Sequence, residues 1–310
     1  MERKLSFTDV TKTVEDAYEK YKSIKEGTVD SRVAADSREK AFGISVVLTD
    51  GRVFTKGDTE QQVPLGPVAK VPLSVVLLSQ NSADALAKKA ACCGGTCKCG
   101  CAKFEGMPFG KHGLRAVSAV VPQGDPDGKF SVISDMIYAL SSADQGFNDN
   151  LYKYLSEKAK DAKVAEQLTE AGYKLYDDVA QSIDVYSRLL AVRLSVTQTA
   201  AMGATIAADG RNPETGEYAF DGSIAASVVA LMATRGKHFI KPWMVQTGLP
   251  AKKSYTGLML AVLPGFGAIA AYSPELDEAG VPVKAAAAIK YIAQTLGLNV
   301  YASARVSVDK

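Results

Sequence analysis

The 310-residue chain contains no run of eighteen apolar residues, the length a membrane-crossing helix needs, so no membrane span is expected. Its N-terminal residues are charged and lead into a polar helical pattern, without the apolar stretch of a secretory signal. An excess of one charge is also lacking. The 36 basic and 34 acidic residues leave a formal charge of +2 with no Lys/Arg-rich block, so a nucleic-acid partner is not expected. Only two histidines are present, His112 and His238, too few and too far apart for a histidine metal site or a Ser-His pair. Cysteine is missing everywhere except between Cys92 and Cys101, which hold all five. With no distant partner they cannot staple the fold, and a reducing, cytoplasmic setting is expected.

What is present reads as a substantial core, with 47% hydrophobic residues. Phe7, Val10, Val14, Ala17, Tyr21 and Ile24 recur at helical spacing, with Ser6 or Thr8 as the cap. Phe42–Leu48 and Arg52–Thr55 flank Thr49-Asp50-Gly51, a strong hairpin signal. A buried helix is predicted from near Pro67, kinked at Pro72. Asn81 to Ala91 reads as a short helix and Phe104 to Lys129 as loop. Helical patterns follow over Val132–Leu140, Phe147–Ala159, Val164–Leu175, Val179–Val196, Thr197–Ala208 and Ser223–Thr234. Gly257–Leu263 and Gly267–Ser273 flank Pro264-Gly265-Phe266 as a second hairpin, neither run alternating, so both strands should be covered on both faces. A helix over Val283–Leu296 and a last apolar run, Asn299–Ala304, complete the chain.

This order of helix, strand pair, long helical middle, strand pair and helix predicts a mixed α/β (α+β) fold. Its antiparallel sheet draws strands from both chain ends and is flanked by helices, with a helical lobe inserted. The chain is read as one domain, with a sheet lobe of residues 1–60 and 250–310 and a helical lobe of 61–249. The lobe carries a Cys-rich loop at 91–103.

Four segments, Gly248–Gly280, Met202–Glu217 (MGATIAADGRNPETGE), Asp184–Arg188 (DVYSR) and Phe42–Asp58, resemble in this order-specific combination the serine-dependent glutaminases, which share the fold of the β-lactamases, transpeptidases and penicillin-binding proteins. The resemblance implies a Ser-x-x-Lys motif at the start of a buried helix, and that motif falls on Pro67-Val68-Ala69-Lys70. Lys70 is in place, but proline has no hydroxyl to attack an amide. Other implied positions differ too. A Tyr-Ile-Pro segment becomes Asp30, Ser31 and Arg32, an expected asparagine becomes Arg115, and Lys-Ser-Gly becomes Lys252-Lys253-Ser254. The small glycines after it become Tyr255, Thr256 and Leu258, which should fill the pocket.

These departures predict a non-catalytic glutaminase-like protein, a structural or regulatory subunit with no catalytic residues. The resemblance implies that it self-assembles into homo-oligomers or filaments. Two alternatives stand beside it. One is an amidohydrolase using Lys70, Lys252 or Lys253 as base or nucleophile. The other is a metal-handling protein, because Cys92, Cys93, Cys97, Cys99 and Cys101 have a spacing that lets thiolates share a soft ion such as Cu or Zn. Tyr186, with other helical tyrosines, is expected to pack in the core.

Overall fold

The computed structural model describes residues 2–38, 40–82, 108–173, 175–234, 237–303 and 305–309. The cysteine segment Cys92–Cys101 and nearly all of the expected Asn81–Ala91 helix lie outside the described residues. A five-stranded antiparallel sheet organises the fold, with the strands in the order Val53–Gly57, Gly43–Leu48, Gly267–Tyr272, Leu258–Leu263 and Ala251–Lys253. Both expected hairpins form. The N-terminal pair joins the C-terminal pair through Gly43–Leu48 and Gly267–Tyr272, with Val46 opposite Ile269.

The sheet is the middle layer of three, which explains why its central strands read as unbroken apolar runs. Along Leu258–Leu263, Leu258, Leu260 and Val262 point into the core shared with the helical lobe. Met259 and Ala261 point into the core on the opposite face. Helices Phe7–Tyr21 and Val283–Leu296 cover that second face, burying Val10, Val14, Ile289 and Ile292. Ser6 caps the first helix reciprocally with Asp9, which fixes its start where the sequence placed it. On the other face lies the helix Val196–Ala207. Its Gly203 comes so close to the strands that a Cβ would sit 2.6 Å from the Ala268 Cβ, so only glycine permits this packing distance.

Three expectations change. The α-helix starts at Lys70, after a 3₁₀ turn over Gly66–Ala69. Pro72 therefore falls in the first turn, where its missing N–H leaves no intrahelical bond unmade, and the expected kink has no cause. Part of the expected Phe104–Lys129 loop is helix, Lys111–Ser118. Its apolar positions Leu114 and Val117 are fully buried, and tertiary packing overrides the glycine and proline signals around it. The segment after the apolar run Asn299–Ala304, where no element was expected, forms a strand, Arg305–Val308, which pairs in parallel with Glu2–Leu5.

Candidate active site

The 3₁₀ turn at Gly66–Ala69 presents Pro67 and, at its end, Lys70 toward a cavity of about 220 Å³. The walls come from segments far apart in sequence. Arg32 follows the short strand Thr28–Val29, Pro108 to Gly110 lead into the helix Lys111–Ser118, Tyr186 and Leu190 lie on the helix Val179–Ala191, and Tyr255 follows the edge strand Ala251–Lys253. The cavity thus opens where the sheet edge meets the helical lobe.

Lys70 dominates its chemistry. Among the described residues its ammonium has no ion-pair or hydrogen-bond partner, and its nearest ring is that of Tyr186, with the centroid 6.0 Å from Nζ. Loss of hydration lowers its pKa from the ordinary lysine value to about 8. At pH 7 about a tenth of Lys70 is therefore a neutral amine able to accept a proton, against well under a thousandth for an ordinary lysine. The Tyr186 ring packs edge-on against Phe109 at 5.2 Å. Burial pushes its phenol far above the usual range, so it stays protonated and acts as a donor. Gly113 makes room for it: a Cβ there would collide with the Tyr186 hydroxyl and lie 2.9 Å from Lys70 Cε.

Arg32 and Tyr255 form the opposite wall. The Arg32 guanidinium lies over the Tyr255 ring, its Cζ 3.5 Å from the centroid. Its Nε and Nη2 each donate to Asp30 at 2.7 Å, and Nη1 donates to the Pro108 carbonyl at 3.2 Å. Burial alone would raise the Asp30 pKa, but the hydrogen bonds from Arg32 outweigh it and hold the carboxyl below the usual range. The expectation that bulky residues after Lys253 fill the pocket fails for this reason. Stacking on Arg32 turns Tyr255 into a wall and leaves the space in front of Lys70 open.

The remaining sequence-derived positions are placed elsewhere. Arg115 donates to the Tyr176 hydroxyl at 3.3 Å and lies over the rings of Tyr173 and Tyr176, away from the cavity lining. Lys253 Nζ is held by the carbonyls of Ala279 at 3.0 Å and Gly280 at 2.6 Å. Lys252 sits opposite Leu260 on the edge strand and does not line the cavity. The Ser254 hydroxyl accepts from Thr256 N at 3.1 Å and Thr256 Oγ1 at 2.8 Å, which closes a local turn against Gly66. Among the described residues no cluster of three or more His, Cys, Asp or Glu could hold a metal. From the sequence alone, Tyr186 belongs with the core-packing tyrosines, Arg32 is part of an Asp30-Ser31-Arg32 segment that lacks the family's tyrosine, and Tyr255 is one of the bulky residues expected to fill the pocket. The one available signal was Asp184–Arg188, a family-like segment that sets a tyrosine in the middle of a buried helix face, where its hydroxyl needs a use.

The mixed α/β architecture, with an antiparallel sheet from both chain ends and a helical lobe, is the β-lactamase-like fold, and its cavity holds a lysine amine that has no partner among the described residues. The glutaminase family model matches residues 102–301, and the chain belongs to the glutaminase family. It is 30% identical to the glutaminase of Bacteroides thetaiotaomicron over 97% of each chain. It is 29% identical to that of Parabacteroides distasonis over 99% of each chain. The solved structure of the probable glutaminase ybaS superposes with a TM-score of 0.84 at 25% identity, covering 96% of this chain and 99% of that one. The Bacillus subtilis glutaminase YbgJ, solved as a covalent complex with 5-oxo-L-norleucine, shares the fold at a TM-score of 0.79 and 19% identity, over 95% of this chain and 99% of that one.

These relatives overturn the expectation of a non-catalytic structural or regulatory subunit. They carry an enzyme's name and match this chain over almost its whole length. The expectation rested on Pro67 at the nucleophile position together with the departures at Asp30–Arg32, Arg115 and Lys252–Leu258. A proline removes one hydroxyl, whereas the open cavity and the proton-accepting Lys70 amine are independent of it.

Proposed function

We propose that this chain hydrolyses the carboxamide of glutamine or a close analogue to the carboxylate and ammonia, with Lys70 as the general base. The observation that carries the reading is the Lys70 amine, unpartnered among the described residues and facing an open cavity. The full-length match to enzymes named glutaminase supports the substrate class. Pro67 offers no hydroxyl, so water is the nucleophile in this scheme. Neutral Lys70 takes a proton from water as the oxygen adds to the amide carbon. Tyr186, held protonated, donates a hydrogen bond to the developing oxyanion. When the C–N bond breaks, the proton on Lys70 passes to the departing nitrogen, so that one amide and one water give one carboxylate and one ammonium. The grouping of all five cysteines within Cys92–Cys101 supports a cytoplasmic setting. Among the described residues no helix is long and apolar enough to cross a membrane.

The test is ammonia release from L-glutamine by the purified full chain, measured through a coupled dehydrogenase from pH 6 to 9.5. The expected rate rises with pH and levels off above about 8, as Lys70 loses its proton. Lys70→Met should reduce it by at least about a hundredfold, the lower end of what a positioned base contributes. Ammonia release that is absent, or equal in wild type and Lys70→Met, removes the proposal.

A further inference from the structure

We propose that the Lys70 amine also forms a covalent imine with small apolar aldehydes, the Tyr186 hydroxyl relaying the protons. This activity goes beyond amide hydrolysis and does not depend on it, although both use the same amine. Among the described residues that line the cavity there is no Ser, Thr, Cys, His, Asp or Glu. The Arg32 guanidinium is a poor nucleophile, and burial keeps the phenols of Tyr186 and Tyr255 protonated. The nucleophile that remains is the Lys70 amine. No carboxylate in the lining pairs with it to hold it as an ammonium, and desolvation favours its neutral form. A desolvated lysine amine facing an open cavity is the arrangement that adds to a carbonyl carbon.

The helix Lys111–Ser118 and the residue before it set the geometry. A Cβ at Gly113 would overlap the Tyr186 hydroxyl and lie 2.9 Å from Lys70 Cε, so phenol and amine stem flank one carbon-sized gap. A Cβ at Gly110 would lie 3.5 Å from Lys70 Nζ. Backbone therefore crowds the amine on that side, and a carbonyl with one substituent, an aldehyde, meets less hindrance than a ketone. Pro67, Pro108, Phe109 and Leu190 present hydrocarbon to that substituent, which favours an apolar one. Neutral Nζ adds to the carbonyl carbon, and the oxygen takes a proton from the Tyr186 hydroxyl while the nitrogen returns one to it. The phenol then protonates the hydroxyl of this carbinolamine, water leaves as the C=N bond forms, and the second nitrogen proton restores the phenol. One amine and one aldehyde give one imine and one water, with no oxidant or reductant.

The experiment traps the imine on the full chain with propanal and cyanoborohydride at pH 7, and peptide mass mapping over time locates the alkylated lysines. Lys70 should be alkylated at least about tenfold faster than the exposed Lys4 and Lys153, because its neutral fraction at that pH is about three hundredfold larger, which outweighs the weaker nucleophilicity of a less basic amine. Tyr186→Phe keeps the ring against Phe109 and removes only the hydroxyl; with its fold checked by urea unfolding, it should slow Lys70 alkylation at least about tenfold and leave Lys4 and Lys153 unmoved. Fast, Tyr186-dependent alkylation of Lys70 with no ammonia release from L-glutamine supports the imine and sinks the hydrolytic reading. Ammonia release with Lys70 alkylated no faster than Lys4 and Lys153, or at a rate that Tyr186→Phe does not change, overturns the imine as proposed and leaves the hydrolytic reading standing.

Discussion

Replacing Lys70 by methionine should stabilise the protein at neutral pH while it abolishes activity. The amine is held at about 8 by lost hydration, against an ordinary value of 10.5. At about 1.4 kcal/mol for each tenfold, keeping the buried ammonium protonated costs up to about 3 kcal/mol. Solvent reaching the cavity through its mouth makes this an upper bound. Below about pH 8 the folded and unfolded chains both hold the proton, and the full cost applies. Between about 8 and 10.5 the unfolded chain holds it and the folded chain does not, so wild-type stability rises with pH. Above that range both forms are neutral and the cost is gone.

Methionine has a similar length and no charge, so Lys70→Met should gain up to about 3 kcal/mol at pH 6 to 7, falling toward zero by pH 10.5. Urea unfolding at several pH values measures this. The single tryptophan, Trp243, is buried in the core of the sheet lobe and donates to the Leu249 carbonyl at 2.8 Å, so its fluorescence reports global unfolding. A variant less stable than wild type at pH 7, or a difference that does not change with pH, would show that the ammonium has a stabilising partner and would refute the reasoning. A gain in stability with a loss of turnover is the trade expected of a residue kept for chemistry.

Other perturbations separate the cavity from the scaffold. Gly113→Ala places a Cβ against the Tyr186 hydroxyl, and turnover should fall at least tenfold for a stability loss of about 1–3 kcal/mol; unchanged kinetics would mean that Tyr186 is free to move. Lys129 is 1% exposed and meets Asp177 at 2.6 Å, so Lys129→Met should cost about 3–5 kcal/mol in urea unfolding by leaving a carboxylate unpaired. Burial opposes ionisation of Asp177, but the Lys129 hydrogen bond prevails and holds its pKa below 3.8, so this pair's contribution should persist in the acid until the pH falls below about 4. Protein purified under reducing conditions should carry stoichiometric copper or zinc by elemental analysis, and replacing Cys97, Cys99 and Cys101 by serine should release it; metal-free protein that takes up neither ion would count against thiolate coordination.

The sequence by itself determined the scaffold. Apolar runs bounded by Asp50-Gly51 and Pro264-Gly265 specify two hairpins, and Ser6 and the Val283–Leu296 periodicity specify two helices, because strand alternation, turn chemistry and capping act over a few residues. The strands' unbroken apolar character also told that both faces are covered, and the motifs along the chain told the family. Only the tertiary structure decided the site. Arg32, Lys70, Tyr186 and Tyr255 come from four separate segments, and no local pattern shows that they share one cavity. Read one at a time against an expected motif, Pro67, Arg32 and Tyr255 looked like losses. In the fold, Arg32 and Tyr255 are a stacked pair that keeps the cavity open, and Lys70 owes its proton-accepting character to desolvation by neighbours distant in sequence. Proximity and dielectric environment are properties of the packed chain, and a linear pattern does not carry them.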